Sequence, residues 1–451
     1  MPEPIGRATL AEDVQPKGRG AYYGKQKSVL LTVNGRVIPS TEIQVCNLED
    51  VGYDRWNREA DASTYIVDPE LGRLITKQNE PDADVRVSYE YTFSAPIGGG
   101  EYARQRTFSD VGSVTTVIEP ASIQSGLNAA SGRGAVEIEG SARFVEAPVV
   151  VAADNAAFEL RAADNTRPTL YLTGPMTVGG GADAEVTLNG LWIFGGLLHV
   201  PRMLGPQSNR LRTLRLRHCT LVPGPVPPLL LPGGGPAPAI AAQATAPRLH
   251  VDLPGVVVEI DHCVVAGIRA VAGSRVRITN SIVDAGLPSD VAYAGLLDDD
   301  AGARMTAMNT TIVGKVRSEL IELASNTIFF SELAHWDWWD GPVIVERLQQ
   351  GCVRYSYVPP GSRVPRRYRC QPATAVEDGR VRPVFTSLEW GEPGYCQLSG
   401  HTARDITEGA DDQSEMGAFH DVYQPQRLAN VRARIDEYLR FGLEGGTLFA
   451  S

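Results

Sequence analysis

A short phrase, in which small polar residues precede two or three aliphatic ones, recurs through the middle of the chain. Two of the intervals between its copies are sixteen to eighteen residues, the length of one β-helical coil, and the longer intervals fit coils that carry inserts. One copy cannot bury its aliphatic face alone, so the copies must stack at strand spacing with these side chains inside. The repeat between Ser141 and Ser331 therefore predicts an all-β chain built on a single-stranded parallel β-helix. We align the copies on Thr220, Cys263, Ser281, Thr311 and Thr327.

The polar step of each copy is expected to form the bend between two strands. Asn280, Asn309 and Asn326 suit this position, because asparagine tolerates left-handed backbone conformations and can hydrogen-bond its counterpart in the next coil. His218 and His262 precede cysteines in two other copies, which favours stacked structural histidines over metal ligands. We therefore interpret these polar residues as bends rather than as parts of an active site.

The chain before the repeat divides into two segments. Residues 1–20 are polar and rich in glycine and proline, which is typical of a flexible arm that becomes ordered on a partner. Residues 21–104 contain short apolar runs around turns such as Asn34-Gly35, a pair that readily supplies the positive φ angles of a hairpin. This second segment is predicted to form a small β-domain.

The rest of the chain holds the β-helix and a tail. We expect the β-helix over residues 105–375, with surface inserts at about 223–247 and 287–303. Residues 376–451 lack the repeat and form an irregular tail. Within that tail, apolar residues at helical spacing predict an amphipathic helix over about 426–442.

Charge and apolar pattern exclude several classes of function. A net charge of −11 and a pI near 5.3 argue against nucleic acid as a partner. No stretch has the apolar length of a membrane span. The N-terminus lacks the apolar core of a Sec signal, so we expect synthesis in the cytoplasm without one. Six cysteines are too scattered for a disulfide scaffold, although Cys352 and Cys370 flank one loop and could form a bridge.

Carboxylates are the candidates for catalysis, because several β-helical enzymes cleave polysaccharides. Glycoside hydrolysis needs two carboxyl groups about 5–10 Å apart across a groove. Asp261 and Asp284 lie near the repeated step and form the candidate pair, although Asp261 also suits a local bend. Asp298, Asp299 and Asp300 are either a solvated loop, which we prefer, or a set of oxygen ligands for Ca²⁺. We expect no other cofactor.

An aromatic cluster follows the last copy of the repeat. His335 stands beside Trp336, Trp338 and Trp339 in the segment AHWDWWD. Aromatic residues at this density can close the open end of a β-helix, stack on the sugar rings of a surface glycan, or anchor a protein partner. We prefer the end cap and keep ligand or partner contact as the alternative.

Several segments resemble proteins encoded beside bacterial contractile injection systems and phage-tail-like particles. They include VDPELGRL from Val67, IGGGEYARQ from Ile97, LRTLRLRHCTLVPG from Leu211 and the ending SEMGAFHDVYQPQ from Ser414. The resemblance implies a right-handed β-helix that acts without catalysis, as a structural or recognition component peripheral to the baseplate of a cytoplasmic or released particle. Its partners would be other proteins of that particle, and a homo-oligomer stays open. The alternatives are a polysaccharide hydrolase or lyase of the pectin-lyase-like or tailspike type and a non-catalytic glycan-binding module.

Overall fold

A computed structural model describes residues 5–443 except 26, 53–54, 81–82, 90–94, 223–248, 375–379, 393 and 441. The chain divides into two compact units, Met1–Ser94 and Ala95–Thr447. The sequence placed this boundary at residue 104, but residues 95–104 belong with the β-helix. The Gly99 amide donates to the Thr220 hydroxyl at 2.9 Å, and the Arg104 guanidinium donates to the Thr166 carbonyl at 2.8 Å.

The first unit is a small β-domain with a helix, Arg7–Val14, and a short 3₁₀ helix, Ser40–Glu42. Its strands are Val29–Val33, Arg36–Val37, Ile43–Val45, Asp50–Gly52, Arg55–Trp56, Tyr65–Asp68, Arg73–Ile75 and Val85–Tyr89. The predicted Asn34-Gly35 hairpin is present, with positive φ at both residues. The expectation of a flexible arm needs correction, because Leu10 of the first helix is buried and the Asp13 carboxylate accepts hydrogen bonds from the backbone of residues 21–23. The helix buries only two apolar side chains, Leu10 and Val14. Its sequence therefore lacks the repeated apolar spacing by which a helix is predicted.

The second unit is a parallel β-helix, as predicted, with sheets of eleven, eight and eight strands. The first sheet comprises Val114–Val117, Gly134–Ile138, Ala157–Ala162, Ala184–Asn189, Leu211–Arg217, Val257–Asp261, Arg275–Thr279, Arg304–Met308, Ile321–Ser325, Cys352–Arg354 and Arg367–Tyr368. The second comprises Arg143–Val145, Thr169–Tyr171, Trp192–Phe194, Thr220–Leu221, Val264–Ala266, Ile282–Asp284, Thr311–Val313 and Ile328–Phe330. The third comprises Val149–Ala152, Met176–Gly180, Leu198–Val200, Leu249–Val251, Ile268–Ala270, Val291–Ala294, Lys315–Ser318 and Val343–Val345. A small hairpin, Met203–Leu204 with Gln207–Ser208, follows one third-sheet strand.

One residue in the left-handed conformation ends the first-sheet strand in successive coils. These residues are His218, His262, Asn280, Asn309, Asn326, Tyr355 and Arg369. The Asn309 amide donates to the Asn280 side chain at 3.1 Å and the Asn326 amide donates to the Asn309 side chain at 3.2 Å, which confirms the predicted asparagine ladder. His218 and His262 stack with ring centroids 5.0 Å apart. Burial, helped by the neighbouring His262, lowers the pKa of His218 to about 4.

A column of small buried residues follows these left-handed positions. It consists of Cys219, Cys263, Ser281, Thr310, Thr327, Ser356 and Cys370. Hydrogen bonds connect its members, since the Cys263 amide donates to the Ser281 hydroxyl at 3.0 Å. Our sequence alignment was one residue late at two copies, because Thr220 pairs with Val264 and Thr311 pairs with Ile282. Each of these threonines follows another small residue, so the sequence offers two similar registers.

Separate chain segments cover one end of the β-helix and one outer face. The helix Ile123–Ala130 packs on the first coils, with Ile123 and Leu127 in the main core. The tail runs along the outside of the second sheet, where the Gly417 amide donates to the Asn326 carbonyl at 2.7 Å. Buried side chains of the tail, among them Ile406, Met416 and Phe419, form a second core with the outward residues of this sheet.

The tail holds a short helix, Arg404–Thr407, and a 3₁₀ turn, His420–Val422, before its terminal helix. That terminal helix spans Gln424–Tyr438, which confirms the predicted C-terminal helix with slightly earlier bounds. None of its residues is buried among the described residues. The amphipathic pattern therefore predicted the helix correctly without indicating what its apolar side meets.

Two further expectations concern the inserts and the cysteines. The insert at about 223–247 lies outside the described residues. The insert at 287–303 needs correction, because it supplies the third-sheet strand Val291–Ala294. All six cysteines have free thiols, so the bridge considered between Cys352 and Cys370 is not formed.

We predict that Asn326→Ala destabilises the protein by about 2–4 kcal/mol, because it removes several hydrogen bonds and places alanine in the left-handed region. The Asn326 side chain bonds to Asn309 and to both the carboxylate and the amide of Asp411. Asn165→Ala is the matched control, since Asn165 is exposed and has φ of 57°, and among the described residues its side chain bonds only the adjacent Asp164. Urea denaturation measures both changes, and equal losses would refute a special role for the ladder.

Candidate functional site

The tryptophan loop, residues 331–342, connects the last strand of the second sheet to the last strand of the third. The end cap predicted for its aromatic residues is wrong. Two more first-sheet strands, Cys352–Arg354 and Arg367–Tyr368, stack beyond this coil, so the loop projects from the side of the β-helix. The aromatic segment follows the last copy of the repeat that we identified, but the coils continue with a weaker pattern.

One tryptophan and one ion pair hold the base of the tryptophan loop. Trp339 is 4% exposed, and the Lys315 ammonium lies 4.9 Å from the centre of its ring. The same ammonium pairs with the Asp337 carboxylate, and both side chains are buried. Burial would raise the pKa of Asp337, but hydrogen bonds led by that from Lys315 outweigh it and lower the pKa. The loop is therefore fixed to a third-sheet strand by a charged and an aromatic contact.

The other two tryptophans face solvent. Trp336 is 86% exposed and Trp338 is 60% exposed, and His335 beside them is also exposed. The rings of Trp338 and Trp339 lie 5.9 Å apart at 60°, so the buried indole supports one of the exposed ones. Two accessible indoles on an anchored loop form an apolar contact surface that loses little conformational entropy on binding.

A groove of about 440 Å³ lies at the base of the tryptophan loop. Its lining residues are Phe330, Ser331, Glu332, Leu333, Pro342, Tyr357, Pro359, Pro360 and Arg382. Arg382 pairs with Glu332, and its guanidinium lies 5.3 Å from the centre of the Phe330 ring. The groove thus combines aromatic and proline residues with polar groups, and its exposed lining is about equally polar and apolar.

Ser331 is the exceptional polar group of this groove. The residue is 5% exposed, and its hydroxyl has no hydrogen-bond partner among the described residues. Buried hydroxyls normally find a partner, because the interior does not replace the hydrogen bonds lost from water.

The two predicted catalytic carboxylates lie on different sheets. Asp261 ends a first-sheet strand, where its carboxylate is 3.0 Å from the His262 ring and accepts a hydrogen bond from Thr279 at 3.1 Å. Asp284 ends a second-sheet strand and is buried under the tail, where it accepts a hydrogen bond from the Tyr395 hydroxyl at 2.5 Å. Burial raises the pKa of Asp284. The structure therefore does not place these groups across one open groove.

The predicted calcium ligands are not grouped around a common point. Asp298 accepts a hydrogen bond from Nε of the buried Arg269 at 2.8 Å and forms an ion pair with another nitrogen of the same guanidinium at 2.6 Å. Asp299 and Asp300 are exposed. Asp299 and Asp300 thus fit the solvated loop that we preferred to a Ca²⁺ site. Asp298 instead forms an ion pair with Arg269.

The described residues contain one group with the spacing of metal ligands, and sequence reasoning missed it: Asp411, Asp412 and His420. His420 is buried, with one ring nitrogen 3.2 Å from Asp412 and the other 3.0 Å from Asp421. Asp411 also accepts a hydrogen bond from Asn326 at 2.8 Å. These carboxylates and imidazole could hold a divalent cation, but they also tie the tail to the asparagine ladder. The only sequence signal was an acidic pair eight residues before a histidine.

Known proteins provide no assignment for this chain. No family model matches it, and no curated protein matches it significantly. No helix in the described part of the chain is both long and apolar enough to span a membrane. The activity must therefore be inferred from the contacts of its own residues.

We predict a pH-dependent stability that originates at Glu415, next to the Asp411–His420 group. Burial raises the pKa of Glu415 from 4.5 to about 8. The folded state then keeps a proton that the unfolded state releases, so the free energy of unfolding falls as pH rises from about 4.5 to 8. Glu415→Gln removes this fall and stabilises the protein by about 2–4 kcal/mol at pH 8.

Urea denaturation at pH 5 and pH 8 measures this effect. Exposed Glu392→Gln is the control and should leave the pH dependence unchanged. The assignment to Glu415 fails if the Glu415→Gln variant loses as much stability between these pH values as the parent protein.

Proposed function

We propose that this protein is a non-catalytic recognition component of a phage-tail-like contractile injection particle, peripheral to its baseplate, and that it contacts its partner through the tryptophan loop. The exposure of Trp336 and Trp338 on an anchored loop carries the proposal. Large exposed aromatic side chains are unfavourable in water, and such residues dominate the affinity of protein interfaces when they become buried.

The anchoring of the loop supports a binding role over an incidental exposure. Trp339, Lys315 and Asp337 hold the loop in one position before any partner arrives. A fixed loop loses less conformational entropy on association than a mobile one, so more of the contact energy becomes affinity.

The carboxylates support the non-catalytic form of the proposal. A glycosidase would need one acid and one base or nucleophile on either side of a bound sugar. Asp284 is covered by Tyr395, and Asp261 is engaged by His262 and Thr279. The hydrolase or lyase alternative thus lacks an accessible pair at the predicted positions.

The particle itself is proposed from the sequence resemblance. The resembling segment VDPELGRL covers the end of strand Tyr65–Asp68 and the turn that leads into Arg73–Ile75, and LRTLRLRHC covers the first-sheet strand Leu211–Arg217. A parallel β-helix suits a mechanical assembly, because its coils support one another through continuous sheets and a continuous core.

We predict that this protein is present in purified tail-like particles from its native cell. Mass spectrometry of particles purified by density gradient should find its peptides together with sheath and baseplate proteins, at a constant ratio across the gradient. Peptides found only in fractions without sheath protein would contradict a role in the particle.

We predict that the double variant Trp336→Ala, Trp338→Ala reduces incorporation into particles at least about tenfold, because each lost aromatic contact at an interface centre can weaken binding by more than 1 kcal/mol. Its free energy of unfolding should stay within about 0.5 kcal/mol of the parent protein, since both side chains are exposed.

Tyr438→Ala is the matched control for this experiment. Tyr438 is 80% exposed on the terminal helix, so its replacement also removes an exposed aromatic ring. Incorporation should be unchanged in this variant. Normal incorporation of the double tryptophan variant would rule out the loop as the contact.

A further inference from the structure

The terminal helix, Gln424–Tyr438, carries an apolar stripe that no described residue buries. Leu428, Val431, Ile435 and Tyr438 are three or four residues apart, so their side chains share one face. Leu428 and Ile435 are half-buried, whereas Val431 is 46% exposed and Tyr438 80%. An isolated helix of 15 residues is marginal in water, because helices in proteins are stabilised mainly by packing of an apolar face. A partner that covers the stripe would therefore stabilise this helix.

Arginines flank the apolar stripe on both sides. Arg427 and Arg434 lie along one side and Arg432 along the other, at the positions that face the partner in a coiled coil. All three side chains are exposed. Only Arg434 forms an ion pair with a described residue, Glu437 of the same helix, at 3.9 Å. Both edges of the stripe thus present positive charge to whatever covers it.

We propose that the terminal helix binds an acidic amphipathic helix of a second protein. Aliphatic residues of that partner cover the stripe, and its carboxylates face the flanking arginines, as in a two-stranded coiled coil. This surface shares no residue with the tryptophan loop. The inference therefore does not depend on the proposed particle contact, and helix variants such as Tyr438→Ala should still be incorporated into particles.

A second copy of this chain fits the surface poorly. Parallel pairing of two terminal helices would place Arg427 of one copy opposite Arg432 of the other. Antiparallel pairing would also bring arginines together, because Arg427, Arg432 and Arg434 occupy the flanks. Like charges that face each other across a helix pair disfavour the complex. The charge on the flanks therefore selects a partner of opposite sign.

A membrane surface is also a poor match for this helix. Helices that lie in a membrane interface have a broad apolar face, commonly with tryptophan or phenylalanine. The terminal helix contains neither residue type, and its apolar stripe has only the width of a coiled-coil seam. Asp436 and Glu437, on the remaining surface, would also be repelled by anionic lipids.

Binding of designed peptides to the full-length protein tests the proposal. The probe is a peptide of about three heptads with leucine at the two apolar positions and glutamate at the flanking positions, and the comparison peptide carries lysine at those flanks. Fluorescence anisotropy should show that the acidic peptide binds at least about tenfold more tightly than the lysine peptide. Equal binding of the two peptides, or no binding, would overturn the proposal.

Two further measurements test the other occupants of this surface. The protein should not bind phosphatidylglycerol vesicles, and sedimentation should show no self-association that Val431→Ala with Ile435→Ala abolishes. Either result in the opposite sense would assign the stripe to a membrane or to a second copy and overturn the proposal.

Paired arginine variants locate the contact by its charge. Arg427→Glu with Arg432→Glu should weaken binding of the acidic peptide at least about tenfold. Arg133→Glu with Arg366→Glu is the matched control, because these exposed arginines of the β-helix form no ion pair with a described residue and give the same change of net charge. The control should bind normally. Equal losses in both pairs would reduce the effect to overall charge and refute the helix as the contact.

A variant of the stripe locates the contact by its apolar side chains. Val431→Ala with Ile435→Ala should also weaken peptide binding at least about tenfold, while alanine, the best helix former, keeps the helix intact by circular dichroism. Trp336→Ala with Trp338→Ala should leave peptide binding unchanged. Normal binding by the stripe variant, or loss of binding in the tryptophan variant, would exclude the terminal helix as the binding surface.

Discussion

The β-helix depends on the left-handed residue that ends the first-sheet strand in successive coils. A left-handed conformation is unfavourable for most side chains, and asparagine or histidine occupies this position in five successive coils, followed by Tyr355 and Arg369 in the last two. Once the turn is fixed, the next residue faces the core, which explains the column of cysteine, serine and threonine. The asparagine side chains then link neighbouring coils. These links connect the ends of neighbouring first-sheet strands, which pair in parallel.

The same corner also positions the tail. Asn326 donates to Asp411, and the Ala418 amide donates to the Thr311 hydroxyl at 3.0 Å, so the tail is held by residues beside the ladder. This arrangement buries the outer face of the second sheet, including Asp284. The outer face of the first sheet is occupied by ion pairs such as Arg215 with Glu259 at 2.9 Å. The most exposed indoles, those of Trp336 and Trp338, lie instead on the tryptophan loop.

The sequence predicted those features that depend on contacts between neighbouring coils. Asn280, Asn309 and Asn326 could be recognised because each satisfies a local backbone requirement that recurs. The tail and the buried Asp284 could not be placed, because their contacts join residues more than a hundred positions apart, such as Tyr395 and Asp284. The aromatic cluster was misplaced for a related reason. Coils after residue 331 keep the left-handed turn at Tyr355 and Arg369, but neither residue type resembles the earlier asparagines.

The length of the connection also varies at a different corner, between the second and third sheets. Single residues, Gly267 and Gly314, make this connection in two coils, whereas the tryptophan loop makes it in another. This corner lacks the asparagine ladder, so an insertion there leaves the register of the coils intact. In a stack of coils, loops added at one corner lie along one edge. A β-helix can therefore acquire a recognition surface at this edge. The fixed left-handed turn at the end of the first-sheet strands meanwhile maintains its core.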